Sequence, residues 1–397
     1  MDRIIYVDNN ATTAVAPEVF EEMKPYFTEL YGNPSSMYRF GGELGKDIEI
    51  ARNKVADLIG STYRDKDNKS SEILFTSCGT ESDNAAILSA LQLNPEKRKI
   101  VISEVEHPAI LSLCKDIQRK GYIIELIPVD KKGKINLADV EKAVDANTAI
   151  VSVMWANNEI GNIYPVNEIA KIAHKNGALF HTDAVQAVGK VPINMDENEI
   201  DLLSLSGHKL HAPKGIGALY IRRGTRFRPF IIGGHQESSR RAGTENLAGI
   251  VALGKACELA KENIENENIV VKKLRNSLET KIAEQISDIR INGDFENRLP
   301  NTASISFEYI EGEAILMLLD QFNICASSGS ACTTGSLEPS HVLRAMGLPY
   351  TAAHGTIRFS FSRYNTQADV DFIVEKLPPV IEKLREYSPF WQDKDKK

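Results

Sequence analysis

The sequence predicts an α/β protein with two domains, the larger of which is built on a mainly parallel sheet. Its 397 residues amount to about twice a typical domain of ~150 residues. Short apolar strands alternate with amphipathic helices through the middle of the chain, and this pattern changes near residue 265. Buried strands separated by helices are typical of βαβ units on a parallel sheet.

Seven short apolar runs are the predicted strands of the large sheet, namely residues 72–77, 99–103, 123–129, 149–155, 179–182, 201–206 and 218–222. Amphipathic helices are predicted between them at residues 108–119, 137–144 and 166–176. Two helices, at residues 17–30 and 43–59, precede the first of these strands, and Gly60 ends the second helix as a C-cap.

The C-terminal third has a different order of elements. A long helical stretch runs from about residue 245 to residue 286. Strands at residues 302–307, 323–326 and 356–362 then accompany helices at residues 313–322 and 367–387. We therefore expect a large domain over residues 16–264 and a small α+β domain formed by residues 1–15 and 265–397.

Composition excludes several classes of protein. The net charge of −7 argues against nucleic acid as a partner, because phosphate binding needs a basic face. The longest apolar run, residues 149–156, is too short to span a bilayer, and no signal peptide is recognisable. Five cysteines without a CxxC pair predict reduced thiols and a cytoplasmic location.

An acid and a lysine follow two of the predicted strands. Asp183 and Gln186 come at the end of one, and Lys209 follows Ser206 and His208 at the end of another. Strand ends are where open α/β sheets bind ligands. Pyridoxal phosphate needs a carboxylate that keeps its ring nitrogen protonated and a lysine that forms a Schiff base. The alternative is a turn-capping aspartate and a solvated surface lysine.

Cys78, Gly79 and Thr80 follow the first predicted strand of the sheet and precede a helical pattern. Gly79 allows the backbone to approach an anion, and Thr80 and the free N–H groups of the helix can donate to it. Ser206 and His208 are further donors. The alternative is an ordinary helix N-terminus with a threonine cap.

His107 lies between a strand and a helix. Pro108 at the first helical position leaves His107 extended, so its ring should point off the strand end. There it can stack on a flat cofactor and exchange protons near neutral pH. A lone histidine more often only packs against its neighbours.

Cys332 lies in a segment of small residues, at about 326–339, that cannot bury apolar surface and is therefore predicted to be a mobile loop. Cys114, Cys257 and Cys325 instead lie in predicted strands or helices, as structural cysteines do. A thiol on a mobile segment suits a nucleophile that reacts in the site and carries its product outward. The alternative is an incidental loop cysteine.

These segments together resemble the cysteine desulfurases of the NifS/IscS class, a family of fold type I pyridoxal-phosphate enzymes. The resemblance rests on residues 6–13, 32–36, 76–82, 157–161, 183–186, 207–209, 241–246 and the segment around Cys332. Residues 152–156 and 222–229 are closer to the nitrogen-fixation NifS branch than to the housekeeping branch. The fold expected from this resemblance has a seven-stranded sheet in the large domain.

The resemblance implies a role for each candidate residue. Lys209 is the Schiff-base lysine, Asp183 pairs with the pyridine nitrogen and Gln186 hydrogen-bonds the ring hydroxyl. The remaining roles are stacking on the ring (His107, with Asn158 beside it), phosphate binding (Gly79, Thr80, Ser206, His208, and Thr244 from the partner subunit of a homodimer) and binding of the substrate carboxylate (Arg358, Asn33 and Asn158).

It also implies a reaction, in which L-cysteine becomes L-alanine. Lys209 removes the Cα proton, and Cys332 attacks the substrate sulfur as a thiolate. A nearby base such as His107, or the positive charges of the site, assists the deprotonation of Cys332. The Cys332 persulfide then passes to an iron–sulfur scaffold protein or another acceptor, with nitrogenase maturation as one candidate task. No intrinsic metal is implied, although Cys332 could ligate a cluster transiently during transfer.

Two other functions fit part of this pattern. In an aminotransferase or lyase that uses the same cofactor, Cys332 would have no catalytic role. A non-catalytic sulfur carrier is disfavoured, because a complete cofactor site would then have no use.

Overall fold

The structure is a computed structural model, and it describes residues 3–67, 69, 71–328 and 338–392. Its strands, in chain order, are β1 (Ile5–Tyr6), β2 (Ile73–Thr76), β3 (Lys99–Ser103), β4 (Ile123–Ile127), β5 (Thr148–Ser152), β6 (Leu179–Asp183), β7 (Leu202–Ser206), β8 (Gly217–Ile221), β9 (Ile289–Ile291), β10 (Thr302–Phe307), β11 (Ile324–Cys325), β12 (Ser327–Ser328) and β13 (Thr356–Ser360).

The α-helices are α1 (Pro17–Met23), α2 (Pro25–Thr28), α3 (Arg39–Gly42), α4 (Gly45–Leu58), α5 (Gly79–Leu93), α6 (Pro108–Arg119), α7 (Leu137–Ala143), α8 (Val166–Lys175), α9 (Gln236–Ser239), α10 (Leu247–Asn266), α11 (Lys272–Gln285), α12 (Gly312–Asp320), α13 (His341–Ala345), α14 (Tyr350–His354), α15 (Gln367–Tyr387) and α16 (Pro389–Gln392). A 3₁₀ turn at Gly207–Lys209 follows β7, and a π-helical turn at Glu267–Val271 joins α10 to α11. No helix in the described ranges is long and apolar enough to cross a membrane.

Seven strands form the large sheet in the order β2-β8-β7-β6-β5-β3-β4. β8 runs antiparallel to both of its neighbours, β2 and β7, while β7, β6, β5, β3 and β4 pair in parallel. Five of the strands, β2, β3, β5, β7 and β8, are buried at every residue, as expected for a sheet covered by helices on both faces. The predicted α/β fold with a mainly parallel seven-stranded sheet is confirmed.

The C-terminal part has smaller sheets. β12, β13, β10 and β9 form an antiparallel sheet, and β1 pairs in parallel with β11. Ile5 and Val7 lie in the apolar core of this part, together with residues of α11, α12 and α15. We retain the division into residues 16–264 and residues 1–15 plus 265–397 as a proposal.

Some predicted elements differ in detail. The helix predicted at residues 17–30 is two short helices, because Pro25 has no N–H with which to continue the first one. The long helical stretch is interrupted by the π-helical turn at Glu267–Val271. The segment predicted as a loop from about residue 326 begins with β12, whose backbone pairs with β13. Pro339 precedes the next helix, which is capped by Ser340.

Candidate active site

A cavity of about 350 Å³ opens at the carboxyl ends of the parallel strands. Ten of the thirteen predicted site residues line it, namely Gly79, Thr80, His107, Asn158, Asp183, Gln186, Ser206, His208, Lys209 and Arg358. Asn33 and Thr244 are exposed and lie outside its lining within one chain. Cys332 lies outside the described residues, so its predicted role stays a prediction.

Asp183 is the last residue of β6 and is almost fully buried. Its Oδ1 accepts a hydrogen bond from the backbone N–H of Val185 at 2.9 Å. Burial raises the pKa of Asp183, and His107 and Lys209 act in the opposite direction. A protonated ring nitrogen would give this carboxylate the positive partner that a buried charge requires.

Lys209 is placed by the tight 3₁₀ turn after β7. A Cβ added at Gly207 in this turn would lie 2.8 Å from Ile216 Cγ2, so the turn needs glycine there. The ammonium of Lys209 donates to the backbone oxygens of Asn10 and Ala11, both at 2.6 Å. Lys209 is thus held against the N-terminal segment.

The N-terminus of α5 provides an anion-binding wall. Cys78 precedes the 15-residue helix, whose first N–H groups and dipole favour a phosphate. A Cβ at Gly79 would lie 2.8 Å from Val185 Cγ2, so glycine is required at the start of the helix. The hydroxyl of Ser206 is buried and has no hydrogen-bond partner among the described residues. A phosphate oxygen is the partner that this arrangement fits.

His208 completes the wall beside Ser206. Its Nδ1 lies 3.2 Å from the hydroxyl of Thr12. Burial, and then the charge of Lys209, lowers the pKa of His208 to about 4. The ring is therefore neutral near pH 7 and serves as a hydrogen-bonding group.

His107 is extended, as predicted, and caps helix α6. Its Nδ1 accepts a hydrogen bond from the backbone N–H of Ala109 at 3.1 Å, so in the neutral ring the proton is on Nε2. Burial lowers the pKa of His107, Lys209 adds to this effect, and Asp183 opposes it. A neutral ring at the cavity is suited to stacking and to accepting a proton.

Arg358 on β13 places a buried guanidinium at the cavity. Its Nη2 lies 2.7 Å from Asp8 Oδ1, and its Nη1 donates to the backbone oxygen of Asn158 at 3.0 Å. Its Nε has no partner in the described part of the chain. A guanidinium held in this way can bind a substrate carboxylate.

Asn10, which the sequence reasoning missed, connects these groups. Its backbone oxygen accepts from Lys209 and from Gln186 Nε2, the latter at 2.9 Å. Its Nδ2 donates to the backbone oxygen of Asn158 at 3.0 Å and to the hydroxyl of Thr302 at 2.8 Å. The sequence pattern that could have indicated Asn10 is the polar run of residues 8–10, which directly follows the largely apolar run of residues 4–7.

Glu106, next to His107, is a fully buried carboxyl group. Its Oε1 accepts from the backbone N–H of Met154 at 3.0 Å, while Oε2 has no partner among the described residues. Burial raises the pKa of Glu106 to about 8. At neutral pH this group is therefore predominantly protonated.

This chain is similar to known proteins over nearly its whole length. The model of the aminotransferase class-V family matches residues 5–373. A cysteine desulfurase from Nostoc sp. is 56% identical over 390 residues, 98% of this chain and 96% of the relative. Cysteine desulfurase NifS from Azotobacter vinelandii is 55% identical over 387 residues, 98% of this chain and 95% of that protein. The chain therefore belongs to the aminotransferase class-V family.

Within this family the chain is similar to NifS-type proteins over almost its whole length. A solved structure of a NifS-like protein, with 38% identity, superimposes with a TM-score of 0.88 and covers 96% of this chain and 100% of its own. The resemblance predicted from the motifs is confirmed.

Proposed function

We propose that this protein is a pyridoxal-phosphate-dependent cysteine desulfurase that converts L-cysteine to L-alanine and holds the sulfur as a persulfide on Cys332. The observation that carries the proposal is the meeting of Lys209, Asp183 and the N-terminus of α5 in one cavity. A lysine, a buried carboxylate and an anion-binding helix end are the three contacts that this cofactor needs. The similarity to NifS supports the choice of substrate.

Each residue has a task in this reaction. When bound, pyridoxal phosphate supplies an electron sink for the pair of electrons left at the substrate Cα. Lys209 would hold the cofactor covalently and would take the Cα proton of the substrate. Asp183 keeps the ring nitrogen protonated, Arg358 binds the substrate carboxylate, and Asn158 fixes Arg358 through its backbone oxygen.

Cys332 accounts for the sulfur transfer. Its thiolate forms an S–S bond with the substrate sulfur while the substrate C–S bond breaks. The electron pair of the broken bond goes to carbon, which takes a proton and becomes the methyl group of alanine. The terminal sulfur of the persulfide then passes to an acceptor, for which we propose an iron–sulfur scaffold protein, with nitrogenase maturation as a candidate task.

We also propose that the functional unit is a cytoplasmic homodimer with shared sites. Thr244 and Asn33 do not line the cavity of their own chain. Their proposed roles therefore require that they serve the site of the partner chain. A set of large apolar side chains near the N-terminus is exposed, as at surfaces that bind another chain: Phe20, Phe27, Tyr31, Met37, Tyr38 and Phe40.

The test is to incubate the purified holoenzyme with L-cysteine and a reductant and to measure alanine and sulfide. The wild type should form both in equal amounts. Lys209→Ala should lose both products and the visible absorbance of the bound cofactor, whereas Lys214→Ala, a change at an exposed lysine nearby, should keep them. Formation of a keto acid instead of alanine would contradict the proposal and indicate an aminotransferase.

A further inference from the structure

Lys190 is a buried lysine directly behind the wall of the active-site cavity. It is 7% exposed, and its Nζ lies 2.6 Å from Gln186 Oε1 and 3.3 Å from Asn10 Oδ1. In the described part of the chain these two neutral amide oxygens are the only hydrogen-bond partners of Nζ. Both of these residues line the active-site cavity, and the backbone oxygen of Asn10 also accepts a hydrogen bond from Lys209.

An ammonium in such a place is costly for the fold. A buried charge without a hydrogen-bonded counter-ion loses its hydration, and an apolar residue of similar volume is often at least as stable. Burial lowers the pKa of Lys190 to about 7, Lys209 and Arg358 act in the same direction, and Glu267 opposes them. Packing alone therefore does not account for a lysine here.

The hydrogen bonds of Lys190 constrain how Gln186 is oriented. A glutamine amide has one oxygen that accepts and one NH₂ group that donates, and the Lys190 side chain has N–H donors in both its protonated and its neutral form. Because Lys190 donates to Oε1, the NH₂ group must lie on the other side of the amide. One N–H then reaches the backbone oxygen of Asn10 at 2.9 Å, and the other remains for a ligand in the cavity that Gln186 lines.

Asn10 is oriented in the same way. Its Oδ1 accepts from Lys190 and, at 3.0 Å, from Asn301 Nδ2, so its own NH₂ group must donate. Those two donations go to Asn158 and Thr302. Lys190 thus helps to orient two amides around the site, although it does not line the cavity itself.

We propose that Lys190 is a positioning residue that fixes the Gln186 amide so that an N–H group, and never the carbonyl oxygen, faces the ring hydroxyl of the cofactor. The inference rests on the proposed function and on the contact between Gln186 and that hydroxyl, which the family resemblance implies. An N–H donor stabilises the deprotonated ring oxygen, whereas an amide oxygen in its place would repel it.

The experiment is a double-mutant cycle with Lys190→Met and Gln186→Met, and with Lys171→Met at an exposed lysine as the control. Two quantities are measured in each holoenzyme: the pH midpoint of the visible absorbance change of bound pyridoxal phosphate, and the dissociation constant of pyridoxal phosphate by equilibrium dialysis. The ring oxygen and the nitrogen that joins Lys209 to the cofactor share a proton. A weaker hydrogen bond to the oxygen therefore raises the midpoint.

We expect both single variants to raise the midpoint and to weaken cofactor binding by about 10-fold, the size of one hydrogen bond to a charged group. The double variant should show no further change, because Lys190 acts through Gln186. Lys171→Met should behave as the wild type. Shifts that add in the double variant, or an unchanged midpoint in Lys190→Met, would overturn the inference.

If Lys190→Met does not fold, Lys190→Gln takes its place in the cycle, because a neutral amide no longer enforces one orientation of Gln186. A shift that disappears in the Gln186→Met background supports the inference, and a shift that persists there, or no shift, overturns it. A wild-type protein that binds no pyridoxal phosphate through Lys209 would overturn the proposed function as well. If the wild type binds pyridoxal phosphate through Lys209 but the double-mutant cycle does not give the expected shifts, only the inference about Lys190 is overturned.

Discussion

Nη2 of Arg358 lies 2.7 Å from Oδ1 of Asp8, so the arginine assigned to the substrate carboxylate is already paired with a carboxylate of the protein. The side chain of Asp8 is 18% exposed, whereas that of Arg358 is 6% exposed. If the substrate carboxylate binds at this Nη2, the two carboxylates compete for one guanidinium and substrate binding weakens the ion pair with Asp8.

Asp8→Asn should lower the KM for L-cysteine by about two- to five-fold, since a partly exposed ion pair contributes ~0.5–1 kcal/mol. Asparagine keeps a hydrogen-bond acceptor for Arg358 but removes the competing charge. Steady-state kinetics check this, with Asp116→Asn at an exposed acid as the control. A KM that rises instead would mean that Asp8 orients Arg358 for the substrate.

Asp183→Asn should slow removal of the Cα proton by ~10²–10³-fold, the range found for loss of one electrostatic contact in an active site. Asparagine can still accept the hydrogen bond from Val185, so the fold should be retained. The rate of exchange of the Cα proton with deuterated water measures this step directly. An unchanged rate would show that Asp183 has no part in it.

Cys332 should carry one additional sulfur atom after treatment with L-cysteine. Peptide mass spectrometry should locate this adduct on the Cys332 peptide, and reduction should remove it, which distinguishes sulfur from two oxygen atoms. Cys332→Ala should bind L-cysteine and yield no sulfide, whereas Cys325→Ala should yield it normally. An adduct confined to the Cys325 or Cys78 peptide would contradict the assignment.

Mixed dimers should regain activity that neither parent has. A Lys209→Ala chain and a Thr244→Val chain, if each is inactive alone, should form one intact site when mixed, because Thr244 of one chain would serve the cofactor of the other. The readout is alanine formation after subunit exchange. The control is the Lys209→Ala protein alone, taken through the same exchange procedure. Sedimentation that showed a fully active monomer would exclude the shared site.

Glu106 should make stability depend on pH. Its pKa is raised from the usual 4.5 to about 8 in the folded protein, so its contribution to stability is fully present below about pH 4.5 and is lost as the pH rises toward 8. The loss is at most ~1.4 kcal/mol per pH unit. The glutamine of Glu106→Gln cannot ionise. The free energy of unfolding of this variant, relative to that of the wild type, should therefore increase between pH 5 and pH 8.

Denaturant unfolding at several pH values measures this difference. Glu141→Gln, a change at an exposed glutamate on α7, should follow the wild type at each pH. Parallel pH dependence of the wild type and Glu106→Gln would show that Glu106 is not the group that titrates.

The sequence was sufficient for the large sheet and for most of the cavity. The seven strands lie close to their predicted positions because buried parallel strands are nearly continuous apolar runs. Strand ends also meet at one edge of such a sheet, which is why Asp183, His107 and Lys209 could be placed together. β1, β9 and β12 have only two or three residues and exist only through their partners, so no local pattern predicted them.

The residues that the sequence reasoning missed act through contacts between distant segments. Asn10 meets Gln186 and Lys209 only in the folded chain. Lys190 follows Gln186 by four residues, a spacing that hinted at contact, but its burial was not visible in a sequence where lysine is usually exposed. Asn33 and Thr244 depend on a second chain in the proposed dimer, which no single-chain pattern describes.

The pairing of Ser327 with Arg358 sets a limit on sulfur delivery. Ser328 ends β12, which pairs with the strand that carries Arg358. Cys332 comes four residues after Ser328 in the sequence, and four residues of chain span at most ~14 Å when fully extended. An acceptor protein must therefore bring the thiol or cluster that receives the sulfur close to this end of β12. An acceptor that docks on another surface must have a segment that reaches this position. The length of a tether, and not affinity alone, would decide which proteins receive the sulfur.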